Sequence, residues 1–142
     1  MTEVSASVII NAPVETIWHY LTDAASYTRW DPNINRVQGT IAVGNTLRFW
    51  TKPMPDRVFS TRVVEIVPNH RMMWKSNLPF GLFSSLRIFS LLPLDAGGVE
   101  FTTKVTFSGP LQPLILRTLP DMDDVFHQFV EGLKAVVEGD AG

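Results

Sequence analysis

The sequence predicts an α+β fold in which a curved, antiparallel, seven-stranded sheet wraps one long C-terminal helix, with two short helices after the first strand. The first observation is order: an extended segment, two helical stretches, six further extended segments cut by turns and a final helical run fill the chain from end to end. The second is that final run, where Met122, Phe126, Phe129, Leu133 and Val136 recur at helical spacing and make one side strongly apolar. A twisted antiparallel sheet cannot cover its own inner face, so this helix is the natural plug. With 142 residues, 45% hydrophobic and 18% charged, the chain reads as one folded domain, 1–142, without linker, repeat or low-complexity tract.

Residues 4–10 are β-branched and partly alternating and stop at Asn11-Ala12-Pro13, which marks a strand followed by a helix start, with Pro13 at the first helical position. Val14, Ile17, Trp18 and Leu21 then define one face of an amphipathic helix ending near Asp23. Ala24 to Tyr27 form a second short helix, closed by Trp30-Asp31-Pro32 because the residue before proline is pushed out of helical geometry. Strands are expected at 34–41, 46–52, 57–67, 71–78, 84–93 and 98–107. The turns between them carry Gly44-Asn45, Pro53 to Asp56, Pro68-Asn69, Pro79 to Gly81 and Gly97-Gly98. Ser108-Gly109-Pro110 ends the last strand. Pro120 kinks or restarts the final helix, and Asp121, Asp123 and Asp124 suit its positive end.

Composition excludes several functions. A net charge of -2 provides no positive field for a nucleic-acid backbone. With no cysteine there is no disulfide, thiolate nucleophile or Cys-ligated metal. Met1-Thr2-Glu3-Val4 lacks a signal peptide's basic and apolar regions, and no stretch reaches the length of a membrane span, so a cytoplasmic protein is expected. His19, His70 and His127 have no metal-ligand spacing, and no nucleophile elbow or Walker loop is present; neither metal nor cofactor is expected.

The segment Ala12-Pro13-Val14-Glu15-Thr16-Ile17-Trp18 followed by Trp30-Asp31-Pro32 resembles the START-like, or SRPBCC, superfamily, which includes polyketide cyclases and birch-allergen-type proteins. Residues 63–68 with Arg71-Met72-Met73-Trp74, then Phe89 to Pro93, then Phe107-Ser108-Gly109, continue the likeness in order over almost the whole chain. The resemblance implies a helix-grip fold whose sheet and last helix enclose a deep, mainly apolar cavity for lipids, sterols, polyketides or similar molecules. A bacterial subgroup often carries histidines at positions corresponding to Arg87 and Thr103, and this chain has neither.

Strand parity narrows the candidate site, since residues two apart share a face. Phe49 points inward and Arg48 outward; Phe101, Thr103, Val105 and Phe107 form an inner row with one hydroxyl. In 57–67 either row carries a charge unless a bulge intervenes, and mid-strand Arg62 is expected inside rather than Glu65 near the hairpin end. For 84–93 the resemblance implies that the row of Arg87, Phe89 and Leu91 looks inward. A buried guanidinium needs a partner, so the expected ligand is amphipathic. Its apolar body would lie against Trp30, Phe49, Trp74, Phe101, Phe126 and Phe129, its acidic or polar head near Arg62 or Arg87, with Thr103 as a further ligand-binding residue. Met54, Phe80, Leu82, Phe83 and Leu111 put apolar side chains on connections expected to border the cavity mouth, forming a gate or, alternatively, a dimer or partner contact.

The function expected is binding or carriage of a small hydrophobic or amphipathic molecule, by a monomer or homodimer with no membrane span. The alternatives are a polyketide cyclase or dehydratase using Arg62, Arg87, Thr103 or a displaced histidine, and a protein-interaction module of the chaperone-activator type.

Overall fold

The structure, a computed structural model, describes residues 2–141. Its elements are β1 (Thr2–Ile10), α1 (Val14–Leu21), α2 (Tyr27–Trp30), β2 (Ile34–Gln38), β3 (Thr46–Thr51), β4 (Val58–Val67), β5 (Arg71–Asn77), β6 (Ser84–Pro93), β7 (Val99–Ser108), α3 (Gln112–Leu116) and α4 (Met122–Ala141), with short 3₁₀ turns at Ala24–Ser26 and Pro79–Gly81. One seven-stranded sheet runs in the order β1-β7-β6-β5-β4-β3-β2, every neighbour antiparallel. Because β1 pairs with β7, the segment holding α1 and α2 carries the chain from one sheet edge to the other. It is the one long crossover in an otherwise sequential meander.

The long helix α4 crosses the concave face, packing on β1 and β7 and against α1 and α2. Its stripe buries Phe126, Phe129, Val130, Leu133 and Val137, with Val136 only partly covered. Pro120 restarts the helix: α4 begins after it, and the Asp121 carboxylate accepts from the backbone N–H of Asp123 at 3.1 Å, satisfying a donor that the first turn leaves free. Pro13 stands one residue before α1 as its cap. The five-residue α3 was not expected; it is too short to show a periodicity.

Two local features set the site's geometry. Gly132 lets α4 approach the end of α2, since a Cβ there would fall 2.0 Å from the Trp30 carbonyl oxygen. On β4, Val64 is an extra residue: Val63 pairs with Trp74 and Glu65 with Met73. This bulge reverses the face parity along the strand. Thr61, Val63 and, beyond the bulge, Ile66 share the inner face, leaving Arg62 and Glu65 both on the outside. Arg62 is therefore exposed, which corrects the inward orientation expected from alternation.

Candidate functional site

Between the concave face and α4 lies a cavity of about 470 Å³, within the size range of small-molecule sites. Strand parity delivers Phe49 from β3, Trp74 from β5 and Arg87 from β6 to one wall; α4 supplies Phe126 and Phe129 opposite, and α2 supplies Tyr27. The rings interlock, with Phe49 and Trp74 stacked at 5.4 Å and Trp30 edge-on to Phe129 at 4.9 Å. Exposed Pro53, Val58, Asn77 and Leu78 on the lining show where the cavity meets solvent.

Arg87 is the polar centre. Its Nε donates to Thr103 Oγ1 at 3.0 Å. The guanidinium carbon lies 4.5 Å from the Phe126 ring centre and 4.6 Å from those of Phe89 and Phe129, an aromatic cage that favours a cation through the ring quadrupoles. Two buried donors have no protein partner: Arg87 Nη2 and Trp74 Nε1. Loss of water pulls the arginine pKa down to about 10, a shift opposed by the Tyr27 hydroxyl and Asp31. The group remains charged at neutral pH.

Asp31 faces the same cavity and is only 4% exposed. Burial raises its pKa, opposed by the Asn33 N–H bonded to Oδ1 at 3.0 Å and by the fields of Arg87 and Lys52. Burial likewise raises the pKa of Tyr27, whose hydroxyl donates to the Leu21 carbonyl. Among the described residues no ion pair joins Asp31 to Arg87. A carboxylate and a guanidinium thus share one apolar chamber without touching.

Of the residues expected at the site, Phe49, Trp74, Arg87, Phe126 and Phe129 line the cavity. Trp30, Phe101 and Thr103 are buried behind that lining; the Trp30 indole N–H is bonded to Ser26 Oγ at 3.0 Å and Thr103 holds Arg87 in place. Arg62 stands on the convex face. Of the gate residues, Phe83 lines the cavity, stacked on Phe107 at 5.8 Å. Phe80 is 97% exposed at the β5–β6 tip, and Leu82 beside it is also exposed. Leu111 donates its N–H to the Leu82 carbonyl at 2.9 Å. Gly109, at φ 104°, allows this contact, because a Cβ would lie 2.6 Å from that same oxygen. Met54 and Leu111 are partly buried and lie off the lining.

Sequence reasoning did not single out Tyr27 or Asp31. Their signal was an aromatic pair three apart, Tyr27 and Trp30, followed by a carboxylate locked by Pro32. All three histidines are exposed and away from the cavity. Among the described residues no group of three or more His, Asp or Glu side chains could hold a metal ion, and no helix is long and apolar enough to cross a membrane.

A family model described as polyketide cyclase / dehydrase and lipid transport matches residues 1–138. No curated protein sequence matches the chain. Similar solved structures include a hypothetical protein from Helicobacter pylori (TM-score 0.78, 18% identity, covering 96% of this chain and 88% of that one). A protein from Mesorhizobium loti is similar at TM-score 0.75 and 21% identity, covering 97% and 98%. The Aha1 dimer from Colwellia psychrerythraea is similar at TM-score 0.75 and 19% identity, covering all of both chains.

Proposed function

The chain belongs to the polyketide cyclase / dehydrase and lipid transport family, and from that premise we propose that it binds and carries a small amphipathic molecule. The apolar body lies along Phe49, Trp74, Phe126 and Phe129, and an acceptor oxygen, carbonyl or carboxyl, meets Arg87. The observation that carries this reading is the pair of orphaned donors, Arg87 Nη2 and Trp74 Nε1, in a mainly apolar chamber. An unpaired buried donor is costly, and a ligand oxygen offsets that cost. The exposed β5–β6 tip, which leads directly into Phe83, serves as the gate.

The test compares wild type with Arg87→Met for decanoate and 1-decanol by calorimetry. Arg87→Met weakens decanoate about tenfold or more, the loss of one charge-assisted hydrogen bond, while decanol binding changes by less than twofold. Equal losses for both ligands, or no loss, defeat the assignment.

A second reading, a cyclase or dehydratase, draws on Asp31 and Arg87 sharing the cavity unpaired: a carboxylate with a raised pKa can exchange protons with a substrate whose developing oxyanion faces Arg87. Turnover of a cyclisable polyketone that is lost in Asp31→Asn at unchanged affinity would favour it.

A further inference from the structure

A second indentation, of about 210 Å³, is lined by Thr46, Ser60, Thr61, Arg62, Lys75, Ser76 and Asn77. Four of these residues, Ser60, Thr61, Ser76 and Asn77, also line the main cavity. The reason lies in the sheet. The β4–β5 ladder ends at the pair Arg62 and Lys75, although β4 continues back to Val58 on β3 and β5 continues to Asn77 on β6. Thr61 and Ser76, next in register, are not paired. The Ser76 hydroxyl reaches across instead, donating to the Ser60 carbonyl at 2.7 Å. The ladder therefore leaves a slit between β4 and β5 at this point, spanned by that hydrogen bond, and the same four residues line the hollows on its two sides.

Its outer lip is cationic. Arg62 and Lys75 are directly opposite each other and exposed, and among the described residues neither has an acidic partner. Like charges facing across a ladder repel, and a chain of net charge -2 does not place them there through general basicity. The hydroxyl of Thr46 and the amide of Asn77 add neutral donors to the same rim.

We propose that the slit between β4 and β5 binds a phosphate group carried on the end of a molecule whose apolar chain occupies the main cavity. Two cations with hydroxyl and amide donors exceed what the two oxygens of a carboxylate use, and suit the several oxygens of a phosphate. Desolvation decides between the two cationic positions. A phosphate taken to the caged Arg87 loses its water, whereas at Arg62 and Lys75 it stays hydrated. The inference rests on the cavity reading above, and it names the outward end of that ligand.

The experiment measures affinities of the full chain for decyl phosphate and 1-decanol, in wild type, in the double variant Arg62→Gln/Lys75→Gln and in Arg87→Met. Both altered lip residues are exposed, so the double variant folds. Expected is a preference for the phosphate of about tenfold or more in wild type, abolished in the double variant with decanol affinity unchanged and retained in Arg87→Met. A preference that survives the double variant, or is lost only in Arg87→Met, places the phosphate elsewhere and overturns the inference while leaving the cavity reading intact. Equal affinity for both compounds does the same. Binding of neither compound overturns the cavity reading, and the slit assignment falls with it. Inorganic phosphate, followed by NMR at the Ser60 and Ser76 amides, distinguishes the source: binding as tight as that of decyl phosphate assigns the lip to free phosphate and overturns a chain in the cavity.

Discussion

Asp31 and Arg87 show how far single residues can be read. Arg87 lies on the same face as Phe89 and Leu91, and Thr103 on the same face as Phe101 and Val105, and the β6–β7 register, which pairs Phe89 with Thr103, brings the guanidinium and the hydroxyl together. The inward expectation for Arg62 fails because one inserted residue, Val64, lets both Arg62 and Glu65 face outward, and a bulge of ordinary strand residues has no local signature. Asp31 carries a testable consequence. Its folded pKa is raised above the ordinary carboxylate value of 3.8, so between the two values the native state holds a proton that the unfolded chain has released. Stability therefore falls as pH rises through that window and stays lower above it. Asp31→Asn keeps the acceptor for the Asn33 N–H but removes the desolvated charge. We expect it to stabilise the protein at pH 7 by about 1 kcal/mol and to flatten the fall in stability above pH 4, read from urea titrations at several pH values. An unchanged slope would show that other groups cause it.

At the scale of elements, the long helix and the hairpins were legible because each repeats its signal several times, whereas α3 spans five residues and offers less than two turns. Contacts between elements were not legible. Gly132 reads as an ordinary weak spot in a helix, yet it is the place where the α2 carbonyl of Trp30 meets α4. Gly132→Ala is expected to cost about 3 kcal/mol by overpacking and to displace Tyr27 and Asp31 from the cavity. Gly139→Ala, with nothing within 4 Å of its added carbon, should instead be neutral or stabilise the helix by up to ~1 kcal/mol. Denaturant midpoints of the two variants check the contrast, and similar shifts would remove Gly132 from the account of how the site is held.

The whole molecule is a sheet that grips a helix incompletely, and the unfilled remainder is the cavity. On the β5–β6 connection, between the lining residues Leu78 and Phe83, Phe80 is 97% exposed and held at φ 60°, a left-handed geometry that is costly for a bulky side chain. Packing does not account for a large apolar ring there. Phe80→Asn should leave the melting temperature equal or slightly higher, since asparagine tolerates this geometry better by roughly 0.5–1 kcal/mol. If the tip is a gate that meets a lipid surface, the same variant should slow uptake of a fluorescent fatty acid from vesicles several-fold at unchanged equilibrium affinity. Uptake as fast as wild type would reject the gate.

Sequence alone determined the order of the strands and longer helices, the inner rows of β3 and β7 and the apolar stripe of α4, because period and turn chemistry are properties of neighbours along the chain. Tertiary structure decided which side of β4 faces inward, which aromatics line the cavity and which lie behind it, and where the sheet parts between β4 and β5. Those outcomes depend on register, on how closely α2 and α4 approach at Gly132 and on which ladder pairs form. Each is settled between residues far apart in the chain, where no local pattern records it. Of the nine Phe, four Trp and two Tyr, part fills a core, and part surrounds a charged arginine in an open chamber.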